Sequence, residues 1–270
     1  MSEPLSAAEI EQFVADGFVR LEGAFPVALA DECRALLWEQ VRAETGADPG
    51  DPSTWTRPVV RINGRSDPPF QAAARTPRLH AAFDQLVGPG GWHPRAGLGT
   101  FPIRFPHPDD PGDAGWHVEG SFADPDDPAR FRLNLRSRGR ALLMLFLFSE
   151  VGEADAPTRV RVGSHLDVAP LLAPHGDAGA EFFAFAGEAV PATEHRPTAL
   201  ATGAPGDVYL VHPFLVHAAQ PHRGTAPRFM AQPPLLPTAE QDLDAPTPVA
   251  EAIRRGLAAT SSSAPSSAPS

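Results

Sequence analysis

The chain has 270 residues, 42% hydrophobic and 20% charged, with one cysteine and a formal net charge of −11. That length buries a substantial core as one large β-rich domain or two small ones. The acidic balance argues against a nucleic-acid partner, which needs a concentrated basic surface, and no apolar run is long enough to span a bilayer. Every basic side chain is arginine, so Schiff-base, pyridoxal-phosphate and P-loop lysine chemistry are excluded.

Residues 6–16 read as a short helix: Ser6 is an N-cap with Glu9 three residues on, and Ile10, Phe13 and Val14 fall at helical spacing. A strand over 17–25 follows, then a second helix over about 27–44 with Leu29, Cys33, Leu36 and Leu37 on one stripe. The stretch 46–70 is loop, interrupted by a strand at 58–63, and 76–87 forms a third helix. From about 95 the chain changes to short apolar runs broken by Gly, Pro and Asp, at 97–105, 115–122, 141–151, 156–162, 207–218 and 228–236. Short strands with turn signals between them indicate a barrel or sandwich. The run 141–148 has no polar residue and reads as a strand buried on both faces. The Ser/Ala/Pro tail, 259–270, is expected to be disordered. A single cysteine, Cys33, and an N-terminus unlike a secretory signal place the chain in the cytoplasm.

The chemistry concentrates in His117-x-Glu119, a distal His217 and Arg228. Two imidazoles and one carboxylate are the protein ligands of a mononuclear non-haem iron(II) site with open positions. On a strand, side chains two apart share a face, so His117 and Glu119 point the same way, with Trp116, Val118 and Phe122 as apolar neighbours limiting water. An H-x-E pair alone is a weak signal. A symmetric hairpin centred between His222 and Arg223 places His217 opposite Arg228, about 5 Å apart at Cβ, where a guanidinium can anchor a carboxylate. His212 shares the strand but is followed by Pro213, and His165 reads as a core histidine bonded to backbone.

Taken together, these elements resemble the phytanoyl-CoA dioxygenase-like branch of the iron(II)/2-oxoglutarate oxygenases over most of 6–236. LSAAEIEQFVADGFVRLEGAF is similar to that family's entry helix and first strand, GWHVEGSF to its W-H-x-D motif, and DAPTRVRVGSHL to its G-S-H turn. GDVYLVHPFLVHAAQPHRGTAPRF is similar to the segment carrying the distal ligand and the cosubstrate arginine. The resemblance implies a mainly β fold, a double-stranded β-helix (jelly-roll, cupin-like) core over about 95–236, with N-terminal helices (about 6–90) packed on one side in a single domain, 1–258. It implies His117, Glu119 and His217 as ligands of Fe(II), Arg228 as the anchor of the 2-oxoglutarate C5 carboxylate, and O2 as co-reactant.

Three departures stand out. Glu119 replaces the usual aspartate, Ala219 a common hydroxyl residue, and Arg161 the proline before the G-S-H turn. Thr158 is the candidate to supply the missing cosubstrate hydrogen bond. Halogenating relatives carry a small residue in place of the carboxylate, so Glu119 points to oxygenation. The implied reaction is hydroxylation of an unactivated C–H of a small molecule, of acyl or specialised-metabolite type, with release of succinate and CO2, by a monomer or homodimer. Arg61, Asn63, Arg104 and Phe105 are candidate substrate contacts. Two alternatives stay open: a cupin-type metalloenzyme independent of 2-oxoglutarate, and a catalytically silent jelly-roll binding protein.

Overall fold

A computed structural model of the chain describes residues 4–261. Helix α1 (Ala7–Asp16) is capped by Ser6, whose hydroxyl accepts from the Glu9 amide at 3.3 Å while the Glu9 carboxylate accepts from the Ser6 amide at 2.7 Å. Phe13 and Val14 form its buried stripe, and Gly17 ends it at φ 87°. A Cβ at Gly17 would lie 2.5 Å from the His165 ring, so that turn requires glycine on two counts. Strand β1 (Phe18–Leu21), helix α2 (Val27–Thr45), strand β2 (Val59–Ile62), helix α3 (Pro68–Ala74) and helix α4 (Pro77–Val87) follow. All but α3 were expected, and β1 is shorter than its apolar run.

Beyond residue 100 come β3 (Phe101–Arg104), β4 (Phe122–Ala123), β5 (Phe131–Leu133), β6 (Leu142–Leu147), β7 (Arg159–Arg161), α5 (Ser164–Leu172), β8 (Ala180–Glu181), α6 (Phe182–Ala192), β9 (Thr198–Leu200), β10 (Val208–Val211), β11 (His217–Ala218), β12 (Met230–Ala231), β13 (Pro234–Leu235) and α7 (Pro248–Ser261). No helix was expected over α5, α6 or α7, although Val249, Ala252, Ile253 and Leu257 of α7 fall at helical spacing. α5 holds Pro170 and α6 holds Pro191, each a residue that usually argues against helix. α7 packs on α1, α4 and α5 through Val249, Ala250, Ala252 and Ile253. It reaches Ser261; the rest of the tail expected to be disordered lies outside the described residues.

The largest sheet runs β1-β10-β6-β12, with β13 also pairing to β6, and every pairing is antiparallel. A three-stranded sheet, β11-β7-β9, lies opposite it. Between them Leu143, Leu145 and Leu147 of β6, Tyr209 and Val211 of β10 and Met230 meet Val160, Ala201 and Leu215 in one apolar cluster. The alternate residues Leu142, Met144, Phe146 and Phe148 face the helices in the main core. This two-sided burial explains why 141–148 has no polar residue. Two further sheets are β2-β3, with two strands, and β4-β5-β8, with three.

The expected hairpin is not present. The run 207–218 is two strands: β10 ends at Val211, His212 and Pro213 break it, and β11 continues in the opposite sheet. Proline has no amide to give a ladder, and the chain uses that break to change sheets. Residues 228–236 belong to the β6 side, so β11 and β12 are not neighbours. His217 pairs with Val160 and His117, and Arg228 pairs with Arg104.

Candidate metal centre

His117, Glu119 and His217 converge: one ligand atom from each lies within 4.8 Å of the others. The approach of the histidines is set by backbone. His117 N–H donates to the His217 carbonyl and His217 N–H to the His117 carbonyl, both at 3.0 Å, which leaves their rings on one face with centroids 4.4 Å apart. His117 is not on a continuous strand as expected; it makes that single bridge, and the next strand starts only at Phe122.

The histidine ring orientations fit a metal. Nδ1 of His117 lies 3.0 Å from the Gly115 carbonyl and Nδ1 of His217 lies 2.9 Å from that of Leu215. Each carbonyl holds the proton on Nδ1 and leaves Nε2 free to coordinate. The two Nε2 atoms stand 3.9 and 3.4 Å from Glu119 Oε1. Ligand atoms about 2.1 Å from one metal at right angles lie about 3 Å apart, so small side-chain adjustments close this set on an ion.

Burial alone would raise the Glu119 carboxyl, but contacts from His117 and His217 and the charge of Arg140 hold it well below the usual carboxylate range. His117 is opposite in sign: burial would lower it, and the contact with Glu119 outweighs that. Glu119 is thus held as a carboxylate and His117 is drawn toward its protonated form, and a cation bound among the three would take the place of that proton. Arg140, which the spacing of motifs did not single out, donates to Glu119 Oε2 at 3.3 Å and to the Gly120 carbonyl at 3.1 Å. It follows an Arg-Ser-Arg-Gly run that reads as ordinary surface.

A second cluster is built on the other isolated bridge. Arg104 N–H donates to the Arg228 carbonyl at 3.1 Å and Arg228 N–H to the Arg104 carbonyl at 2.8 Å, so these side chains also share a face. Both are buried. Arg228 donates to the Ala156 carbonyl and, at 3.2 Å, to that of Pro102. Burial, reinforced by Arg104, pushes its guanidinium down to about 9. Arg104 binds Asp113 at 2.7 Å, and Asp113 also pairs with Arg61. Even so, Nε and Nη1 of Arg104, Nε of Arg228 and Nε2 of His222 are buried without a hydrogen-bond partner, the last with the Asp155 carboxylate 4.0 Å away. Such a concentration of orphaned donors is costly unless an anion completes it. The segment 113–117 links this cluster to the metal set, since it carries both Asp113 and His117.

The other candidates separate. Asn63 lines a cavity of about 390 Å³ beside Glu119, with Arg95, Arg140 and Gln232. Arg61 is exposed and reaches Asp113 instead. Phe105 is not a pocket residue: it is buried against Trp38 and Trp55, at ring distances of 5.8 and 5.6 Å. Thr158 is buried, with its carbonyl accepting from Ala201 at 2.9 Å and no hydrogen bond from its hydroxyl to a described residue. Trp116 does not cover the metal set, because it stacks on Arg159 and Arg161, 4.8 and 4.6 Å away. Val118 belongs to the main core and Phe122 lies against Arg138. The ring beside His117 is Phe182, edge-on at 6.3 Å. His165 and His212 are core histidines, with His165 Nε2 3.0 Å from the Val14 carbonyl.

A family model described as Phytanoyl-CoA dioxygenase (PhyH) matches residues 13–230. No curated protein sequence matches the chain. Among solved structures, the fold is similar to SnoK, a non-heme alpha ketoglutarate dependent carbocyclase from nogalamycin biosynthesis (TM-score 0.52, 16% identity, covering 85% of this chain and 83% of that one). It is also similar to HygX from Streptomyces hygroscopicus, solved with nickel, 2-oxoglutarate and hygromycin B (0.51, 18%, 84% and 86%). A third is EctD from S. alaskensis with bound Fe (0.54, 17%, 88% and 78%). No helix among the described residues is long and apolar enough to cross a membrane.

Proposed function

The chain belongs to the phytanoyl-CoA dioxygenase (PhyH) family, and from that premise we propose that it is an Fe(II)- and 2-oxoglutarate-dependent dioxygenase. Its reaction is hydroxylation of an unactivated C–H of a small molecule, with release of succinate and CO2. The observation that carries this reading is the convergence of His117, Glu119 and His217, with both Nδ1 atoms committed to backbone carbonyls. The two facing sheets are the halves of a double-stranded β-helix in a single domain, 1–258.

Iron(II) held by the triad supplies the redox chemistry that couples decarboxylation of 2-oxoglutarate to oxidation of the substrate. The protein positions and shields. The carbonyls of Gly115 and Leu215 fix the imidazoles, and Arg140 holds Glu119 Oε2 and leaves Oε1 turned to the histidines. Arg228, with Arg104 on the same face, receives the distal carboxylate of 2-oxoglutarate, and Thr158 supplies a further hydrogen bond to the cosubstrate. A carboxylate there satisfies the orphaned donors and offsets the repulsion between two buried guanidiniums. Phe182 limits water at His117.

HygX and EctD are solved with metal, and the same class of cofactor is proposed here on the strength of the donor set. Glu119 fills the position that halide would need, so the outcome is oxygenation. Anaerobic titration with iron(II) and 2-oxoglutarate tests the reading: a weak visible charge-transfer band should appear only when both are present, and succinate should form on admitting oxygen. Metal binding with no response to 2-oxoglutarate would instead favour a cupin-type metalloenzyme that works without it.

A further inference from the structure

Glu119 lines two cavities of different chemistry. The first, about 390 Å³, carries Arg95, Arg140, Asn63 and Gln232. Arg95 is held by carbonyls, Nε to Gly97 at 3.1 Å and Nη1 to Pro234 at 2.5 Å, and has no carboxylate partner among the described residues. The side-chain amides of Asn63 and Gln232 make no hydrogen bond to a described residue. Among the described residues, the acidic partner of Arg140 is Glu119. That leaves Arg95 as the guanidinium of this cavity with no carboxylate against it, whether or not Glu119 holds a metal. The second cavity, about 240 Å³, joins Glu119 and Arg140 to Phe131 and Phe182. Phe131 leaves 50% of its surface exposed, so part of its ring is free to meet a ligand.

We infer that the substrate, on the oxygenase reading above, is a small organic anion with an apolar arm. Its carboxylate or phosphate group is held by Arg95 together with Asn63 and Gln232, and its arm lies between Phe131 and Phe182. The carbon between head and arm then passes Glu119, where oxidation takes place. Charge-assisted hydrogen bonds to a planar guanidinium favour carboxylate and phosphate over neutral groups. A protein of net charge −11 needs such a local cation to draw an anion in against its overall field.

Calorimetric titration of the full chain, free of iron and 2-oxoglutarate, tests this with 4-phenylbutanoate, 3-phenylpropyl phosphate and neutral 4-phenylbutanamide. At least one anion should bind about ten-fold or more tightly than the amide, the size expected for a charge-assisted contact; which of the two is tighter distinguishes the carboxylate source from the phosphate source. Arg95→Gln should remove that preference. Gln232→Glu, which keeps the packing and adds a counter-charge, should remove it as well. Phe131→Ala should weaken the anion and the amide alike. Equal binding of amide and anions, no binding of either anion at millimolar concentration, or a preference that survives Arg95→Gln but disappears in Arg228→Gln overturns the assignment. The last result would put the anion in the cosubstrate anchor. Since neither iron nor 2-oxoglutarate is present, a failure here is separable from a failure of the iron titration.

Discussion

His117 faces His217 across one isolated antiparallel bridge, and Arg104 faces Arg228 across another. The backbone device is the same, but the side chains pose opposite problems. The imidazoles are already oriented by carbonyls and joined by the Glu119 carboxylate, a donor set that a cation completes. The guanidiniums are like charges buried together with unpartnered N–H groups, so that set needs an anion. A buried pair of His165 and His212, with rings 4.8 Å apart, is the useful control: it has imidazoles in contact with no carboxylate between them, and it belongs to the core. Proximity of like side chains is therefore no site by itself; the third group and the orphaned donors make it one.

Breaking the first bridge set should have the largest effect. Glu119→Ala should abolish iron-dependent succinate formation, read by a coupled assay, and an unchanged rate would show that the ligand assignment is wrong. Glu119→Asp should keep iron binding, since charge and ligating oxygens remain.

At the second bridge, Arg228→Met should weaken 2-oxoglutarate by about 2–5 kcal/mol, the usual cost of removing one partner of a desolvated charge pair. The melting temperature of the cosubstrate-free protein should nevertheless stay within the equivalent of about 1 kcal/mol, because losing bonds to Ala156 and Pro102 offsets relief from Arg104. A large fall in stability would mean that Arg228 is chiefly structural.

The control pair sets the acid limit. Burial holds His165 down to about 4, and His212 well below its ordinary value. The unfolded chain takes up protons near pH 6.5 while these rings remain neutral. Stability should be complete above that pH and fall as pH drops from about 6.5 toward 4, by roughly 3 kcal/mol for His165 alone. Urea midpoints across that range measure it, and His165→Gln should flatten the slope.

The smallest effect belongs far from both bridges. Ser6→Ala removes a capping box and should cost about 1 kcal/mol in thermal or urea unfolding, with the iron and 2-oxoglutarate titrations unchanged. A shift in either would couple α1 to the site.

The amino-acid sequence by itself determined the local elements: the Ser6–Glu9 cap, the α2 and α4 stripes, and a β6 buried on both faces because it has no polar residue. It also determined the donor set, since His-x-Glu and a distal histidine embedded in family-like segments are chemistry written in residue types. Which residues face one another was left to the tertiary structure. The expected His217–Arg228 pairing assumed a hairpin, yet Pro213 sends β11 into one sheet while β12 joins the other, and register across sheets is set by packing rather than by turn length. Arg140, Arg95 and Gln232 reach the cavity at Glu119 from segments with no motif of their own, and Phe105, next to Arg104 in the chain, turns into the core. Residue type and spacing specify what a site can bind; long-range packing decides which charges end up beside it.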